Sequence, residues 1–351
     1  MLRITLSVLV VLLVSACAAP STVRISHDSA ELAAEAKIQR ELAFKAYLRY
    51  VRRLNTVAYP ILKSASKFCP DDLANSFGAE GSTSADYKDE WITAAEKLLG
   101  GSGYRVTWVA KGGAADVSGI EVNDEILSVN GVAFGDQKKQ HKKFYAEVDR
   151  VLTGSESKAE VAIRRGEEVL NFDIALDKVC GFPVLLSESD QVNACANGEQ
   201  IIVTKGMMRF ARDDQDLSLV IAHELGHNVM DHMDKTMSNY WLGSIVDIAA
   251  AAYGVNTHGL FGGAAAQAFS QDFEAEADYV GLYYMHAADL PLQGAADFWR
   301  SMAAEHPGSI ASNHAASHPA TPERFLAISK TIDEIDNKMT IGAEISPNLS
   351  E

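Results

Sequence analysis

The run Asp216-Leu-Ser-Leu-Val-Ile-Ala-His223-Glu224-Leu-Gly-His227-Asn restricts this chain more than any other stretch. On an α-helix, residues four apart share a face. His223 and His227 therefore offer imidazole nitrogens to one ion, while Glu224, one step round, reaches a water on that ion. Asp213, Asp214 and Asp216 stand where a helix N-terminus favours acidic groups, and Leu217 to Ile221 is strongly apolar. Two histidines alone hold zinc weakly. A catalytic site uses three protein ligands and leaves a position for water or substrate, so the motif demands a third ligand further along.

The stretch Phe273-Glu274-Ala-Glu276-Ala-Asp278-Tyr-Val-Gly281 can supply it. It reads as an alanine-rich helix with Glu274 and Asp278 four apart on one face. Either Glu274 or Glu276 can reach the ion, but not both from one face, and spacing does not choose between them.

The chain has 351 residues, enough for two domains of ordinary size, and its 47% hydrophobic and 22% charged content is that of a globular protein. Formal charge is 31 − 47 = −16, which argues against nucleic acid or anionic lipid as an electrostatic partner. The start of the chain departs from this composition: Arg3, an apolar run from Ile4 to Val14, then Ser15-Ala16-Cys17. The run is shorter than the roughly 20 residues a membrane span needs and reads as a secretory signal. Val14-Ser15-Ala16-Cys17 resembles the bacterial lipoprotein cleavage box. That resemblance makes residues 1–16 a signal peptide and Cys17 the acylated first residue, and Ala18 after it points to the outer membrane. Acyl chains would then be the membrane partner, and the location the periplasmic face of the envelope. Three cysteines remain for an oxidising compartment. Cys69 and Cys180 flank the module described next, so a Cys69–Cys180 bridge is expected to tie its ends.

Residues 17–29 read as a tether. From Ala30 to about Ser66 the pattern is helical, with Leu32, Ile38, Leu42, Phe44, Tyr47, Leu48, Val51 and Leu54 forming a packing stripe inside an N-terminal segment 30–83. Between 84 and 177 the period changes to short strands with glycine turns. Tyr104 to Val109 alternates, Gly112-Gly113 breaks it, and a small-residue helix closed by Gly119 follows. A strand then runs from Asp124 to the Asn130-Gly131 turn. A helix near Gln137 to Leu152 and strands Glu160 to Arg164 and Val169 to Ala175 complete a pattern that resembles a bacterial PDZ domain. The resemblance implies capture of a C-terminal or extended peptide at a sheet edge, with Leu98-Leu99-Gly100-Gly101-Ser102-Gly103 as an approximate carboxylate-binding loop. A spacer or lid is the alternative role.

Beyond Cys180, Asn197-Gly198 is a hairpin signal and Ile201 to Thr204 a strand. We expect it to be an edge strand where an extended substrate adds. Residues 240 to 269 are apolar but interrupted by Asp247, Asn256 and His258, and read as a buried or loosely packed helical hairpin. Pro291 is expected to open a helix to Glu305 with Phe298, Trp299 and Met302 in the core. Thr321-Pro322-Glu323 starts a last helix, and 341–351 is a tail.

Together, Gly198 to Gly206, His223-Glu-Leu-Gly-His227-Asn228 and Glu274-Ala-Glu-Ala-Asp278 resemble the HtpX- and BepA-like zinc metallopeptidases related to the CAAX prenyl proteases. The likeness covers most of 180–330. It implies an α+β fold: a mainly helical, gluzincin-like zinc-metallopeptidase domain (178–340) with a small sheet, plus the β-rich PDZ-like domain. It also makes Glu274 the third ligand of one Zn2+ per subunit, and Asp278 the partner that fixes a ligating histidine. His318 and Arg324 match a His-Pro loop and following arginine near the family's site, with His318 capping the zinc or stabilising an oxyanion. His232, His286, His306 and His314 are assigned structural roles. The expected activity is zinc-dependent endopeptidase action on envelope polypeptides in protein quality control, with Glu224 as the base. The rivals are a lipid-anchored PDZ-type holdase with an inactive peptidase domain, and hydrolysis of a non-peptide envelope substrate.

Overall fold

Asp28 starts the first helix by a reciprocal cap. Its Oδ1 accepts the Glu31 N–H at 2.8 Å, and Glu31 Oε2 accepts the Asp28 N–H at 3.0 Å. The computed structural model describes residue 22 and residues 25–135, 137–252, 257–258, 260, 270–305 and 322–349. Helix α1 (Ser29–Ser64) has 36 residues, about 54 Å of rod at 1.5 Å per residue, and most of the molecule is assembled along it. Phe44 and Leu48 pack with Ala94, Ala95 and Leu99. Tyr59 packs with Trp108, Ala110 and Val179. Leu54, Val57, Ala58 and Ile61 enter the largest core. The expected stripe is therefore only partly used: Leu32, Ile38 and Leu42 are exposed.

Two short strands follow, β1 (Leu73–Ser76) and β2 (Ala79–Ser82), then α2 (Ile92–Leu99), β3 (Tyr104–Val109), α3 (Ala114–Ser118), β4 (Glu125–Val129), β5 (Val132–Ala133), α4 (Lys138–Thr153), β6 (Lys158–Arg165), β7 (Glu168–Ala175) and β8 (Asp177–Cys180). One sheet has the order β2-β3-β4-β6-β7, with β5 paired to β4, while β1 and β8 form a separate antiparallel pair. Asn130 and Gly131 both take positive φ, 47° and 74°, as a tight hairpin between β4 and β5 requires. Buried Asp124 accepts both Arg165 Nε and Nη2 at 2.7 Å, which locks the β4 entry to the end of β6. The core of this unit joins Val106, Ile126, Val129, Phe144, Val151, Val161, Ile163 and Ile174. The sheet begins with β2, upstream of residue 84. The expected carboxylate-binding loop is a helix ending instead: Gly100 has φ 77°, and the N–H groups of Gly100 and Gly101 both go to Glu96 O.

Cys69 and Cys180 are joined by a disulfide across 111 residues, with Cα atoms 5.9 Å apart. Beyond it come β9 (Val184–Ser187), β10 (Ala194–Ala196), β11 (Ile201–Thr204), α5 (Lys205–Phe210), α6 (Asp214–Val229), α7 (His232–Ala252), α8 (Ser270–Ala287), α9 (Ala295–Glu305) and α10 (Pro322–Ile341). Strand β11 is not an edge. It lies between β10, antiparallel, and β9, parallel. Its unbroken apolar run Ile-Ile-Val suits a strand covered on both sides. Helix α9 starts at Ala295, after Pro291, with Phe298 and Trp299 buried and Met302 at the margin of the core. The expected hairpin over 240–269 lies partly outside the described residues. Within α7, Leu242, Ile245, Val246 and Ile248 are exposed rather than buried. Among the described residues, no helix is long and apolar enough to cross a membrane.

Candidate metal centre

Helix α6 is buried on every side, from Asp216 to Gly226 and again at Asn228, which is why its apolar residues do not keep to one stripe. Asp213 caps it by accepting the Asp216 N–H at 2.9 Å. Arg53 of α1 grips the same end, donating to Met208 O at 2.8 Å, Asp213 O at 2.6 Å and Asp214 Oδ1 at 2.8 Å. The start of α6 is thus fixed both by its own cap and by α1.

Its position against α8 depends on two glycines. A Cβ on Gly226 would stand 2.9 Å from Ala277 O, and one on Gly281 would stand 3.0 Å from Ala222 O. The helices therefore approach closely enough for α8 carboxylates to reach α6 imidazoles. His223 Nε2 and His227 Nε2 are 3.1 Å apart, and the Glu274 oxygens lie 3.4 and 3.3 Å from them. All three ligating atoms fall within 4.8 Å of one another. Ligands about 2.1 Å from a tetrahedral zinc stand about 3.4 Å apart. The donor set, two imidazoles and one carboxylate, fits zinc with a fourth position open. Glu224, 2% exposed, is next to His223 in the same helix.

Each histidine is held from behind. Asp278 Oδ1 is 2.9 Å from His223 Nδ1. Asp278 in turn receives Arg324 Nε and, at 2.9 Å, Nη2, while Arg324 Nη1 lies 3.0 Å from Glu274 Oε2. The guanidinium lies over the Trp299 ring, 4.6 Å from its centroid. Burial acts to raise the Asp278 pKa, but the Arg324 charge outweighs it and holds the carboxyl low. Burial likewise opposes charge on His223, yet Asp278 and Glu274 push it up to about 9. A metal bound there would compete with a proton for the His223 imidazole.

His227 has a support that the spacing did not reveal. Its Nδ1 lies 2.9 Å from His232 Nδ1, and His232 Nε2 lies 2.8 Å from Glu276 Oε2. Burial, against the opposing pull of Glu276, lowers His232 to about 4, so it is neutral. A neutral His232 bound to a carboxylate at Nε2 donates there and accepts at Nδ1. His227 therefore carries its proton on Nδ1 and turns the Nε2 lone pair toward the ligand position. Helix α6 ends at Met230, and Asp231 takes φ 53° before α7 begins. That left-handed residue folds His232 back onto His227, a contact that no single-helix spacing rule contains. His232 is thus part of the centre.

The structure brings together His223, Glu224, His227, Glu274, Asp278 and Arg324, and assigns Glu276 to His232 rather than to the ligand set. Cys17 and His318 lie outside the described residues. Cys195 on β10 is a free thiol, and burial followed by the nearby Glu224 charge raises its pKa. This strand, not β11, is therefore the sheet edge beside Glu224. Gly198 N–H donates to Asn228 Oδ1 at 2.8 Å, pinning the β10–β11 turn to α6.

The model of peptidase family M48 matches residues 163–332, and a PDZ domain model matches 105–166. Mitochondrial metalloendopeptidase OMA1 of Schizosaccharomyces pombe is 30% identical over 146 residues, 40% of this chain and 43% of its own length. The protein of the same name from Saccharomyces cerevisiae is 25% identical over 142 residues, 38% and 41% of the two chains. That from Arabidopsis thaliana is 28% identical over 160 residues, 43% and 32%. The chain spans less than half the length of these curated relatives. Among solved structures, the HtrA3 PDZ domain bound to a phage-derived ligand is 23% identical, with TM-score 0.21, covering 30% of this chain and 88% of that one. The HtrA-type protease AlgW with a decapeptide is 17% identical, with TM-score 0.23, covering 30% of each chain.

Proposed function

We propose that this chain, a PDZ domain followed by a peptidase family M48 domain, is a zinc-dependent endopeptidase that cleaves polypeptides of the cell envelope as part of protein quality control. The observation that carries the reading is the convergence of His223, His227 and Glu274 on one point beside Glu224. His223, His227 and Glu274 would hold the zinc, which would supply a water of pKa about 7 and polarise a carbonyl. Glu224 takes the water's proton and hands it to the leaving amine. Asp278 and His232 hold the two imidazoles with their Nε2 atoms turned toward Glu274, and Arg324 keeps Glu274 and Asp278 in place. An extended substrate is best accommodated along β10, the edge nearest Glu224. Support for an envelope location comes from Val14-Ser15-Ala16-Cys17: Cys17→Ala should abolish incorporation of labelled palmitate.

The test compares wild type with Glu224→Gln on casein, with zinc quantified in both. The variant should retain one zinc per chain and lose cleavage by at least about 100-fold. Glu274→Ala should lose the zinc. Wild type that is stable and zinc-free after purification with zinc supplied would refute the proposal, as would cleavage undiminished in Glu224→Gln.

A further inference from the structure

Helix α4 opens on a run of positive charge. Lys138, Lys139, Lys142 and Lys143 fall within its first six residues, all four are exposed, and no acidic residue stands in the first turn. The lysines that form ion pairs among the described residues are Lys63, Lys88, Lys97 and Lys338, and none of the four is among them. At about 3.6 residues per turn they share the side of α4 opposite the buried Phe144 and Val151. Positive charge at a helix start opposes the macrodipole, so the fold gains nothing from this placement. It also runs against the chain as a whole, in which 47 acidic residues outnumber 31 basic ones.

The start of α1 has a second unpartnered surface. No residue in 29–43 is buried, a length of about 22 Å. Ile25, Leu32, Ile38 and Leu42 are each more than half exposed. Ile38, Leu42 and Leu32 lie on the side of α1 away from Phe44 and Leu48, which face the core. Exposed Lys45 and Arg49 continue that side, and their long stems can lie along apolar surface while the charges reach outward. Glu31 and Glu35 share it in the first turns. Glu31 is held in the Asp28 cap and Glu35 accepts Gln39 Nε2 at 3.1 Å. The face of α1 is therefore apolar and near neutral, and the lysines of α4 supply the sign.

The two surfaces are at one end of the molecule. Two residues past Lys143, Tyr145 donates to Asp86 at 2.7 Å, and the next residue, Tyr87, sets its ring 4.6 Å from that of Phe44, two residues past Leu42. Further along both helices the contacts pass through β1: Asn75 donates to Val151 O at 2.7 Å and pairs with Lys178, while Tyr59 packs with Val179 and Ala74. Helices α1 and α4 thus begin at the same end. Cys17 stands eleven residues before Asp28, a span of at most about 40 Å, so an anchor at Cys17 would hold this end nearest a bilayer.

We infer that the end where α1 and α4 begin docks on an anionic phospholipid surface, with Ile38 and Leu42 entering the interface and the four α4 lysines meeting lipid phosphates. The inference rests on the reading of Cys17 as an acylated anchor and says how the anchored chain sits. Net charge −16 repels such a surface at long range, and lysines act on it only within about 8 Å at physiological salt. The anchor therefore comes first, and the patch then fixes orientation, the two-signal arrangement that stable membrane attachment needs.

The full chain, purified with its acyl groups, is reconstituted on vesicles of phosphatidylcholine and of phosphatidylcholine mixed with phosphatidylglycerol. Its lysines are acetylated by a membrane-impermeant reagent and read by mass spectrometry. On the anionic vesicles the four α4 lysines, with Lys37 and Lys45 of α1, should react about tenfold more slowly than on the neutral ones. Exposed Lys158 and Lys178, at the other end, should react alike on both. Combining Lys138→Gln, Lys139→Gln, Lys142→Gln and Lys143→Gln should erase the lipid dependence at Lys37 and Lys45, with melting curves confirming the fold. Equal rates on the two vesicles, slowing at Lys158 and Lys178 as well, or a lipid effect that survives the fourfold substitution would each overturn the inference. So would slowing by soluble polyglutamate but not by anionic vesicles, which would assign the patch to an acidic protein. The mass of the N-terminal peptide in the same digest reports the anchor. Acylated protein without the pattern overturns the docking surface alone, and the pattern without acylation overturns the anchor alone.

Discussion

His232 shows how a residue outside the candidate ligand set can orient it. It fixes which nitrogen of His227 carries a proton, and Glu276 fixes His232. Removing such a support typically costs 10- to 100-fold in metal affinity. His232→Ala should therefore weaken zinc binding by roughly that factor in a competition with a chromophoric chelator, while far-ultraviolet circular dichroism stays unchanged. Unaltered affinity would show that His227 needs no such partner. The ligands were readable because two histidines four apart project to one side of a helix. His232 was not, since it returns through the left-handed break at Asp231. Glu274 and Glu276 could not be separated by spacing either, because only the facing direction of α8 decides which meets α6. Glu80 gives a pH test at the same scale. Desolvation by the surrounding protein raises its carboxyl from 4.5 to about 7, although the side chain keeps an exposed face. Its neutral form therefore favours the fold fully below pH 4.5, and that contribution disappears as pH rises through about 7. Glu80→Gln should raise Tm on the alkaline side of this window and leave it unchanged on the acid side. An equal shift at both ends would exclude ionisation as the cause.

Between elements, the decisive contact is the crossing of α6 and α8. Gly226 and Gly281 are the places where backbone meets backbone, and a methyl group at either meets Ala277 O or Ala222 O at about van der Waals overlap. Alanine favours an isolated helix by about 1 kcal/mol over glycine, so any loss on substitution reports the crossing rather than the helix. Gly281→Ala should cost about 1–3 kcal/mol net in urea unfolding, as overpacked cores do. It should also reduce zinc affinity, because Glu274 and Asp278 ride on the displaced helix. A more stable variant with normal zinc binding would mean that the two helices have room to spare. Both glycines stand in plain view in the motifs, yet their role depends on which helix lies across them, and one sequence does not contain that pairing. Strand β11 is the reverse case. It is central rather than an edge, and Ile201-Ile202-Val203 has the unbroken apolar character of a covered strand.

At the scale of the whole molecule, the two domains are held by a helix and a covalent bond. Helix α1 enters both: Arg52 Nε donates to Thr107 O at 2.9 Å in the sheet of the PDZ domain, and Arg53 holds the start of α6. Tyr59 and Lys63 both bind Asp177, which also accepts the Ala114 N–H at 2.8 Å. The Cys69–Cys180 disulfide closes the PDZ domain at its base, beside the four-pair ladder of β1 and β8. Closing a loop of 111 residues removes unfolded-state freedom worth up to about 4.7 kcal/mol, and loss of a native bridge typically costs 2–5 kcal/mol. Replacing both cysteines by serine leaves two small polar groups in a site where both residues are at most 2% exposed, which adds to the loss. The double variant should unfold at a clearly lower guanidinium concentration than wild type, and reductant should move wild type toward it while leaving the variant unchanged. Zinc content below the transition should stay at the wild-type level, since the ligands sit on α6 and α8 and the bond does not touch them. An identical midpoint in the two proteins would mean that α1 and the β1–β8 ladder alone hold the domains, and zinc loss in the folded variant would mean that the bridge also sets the metal site.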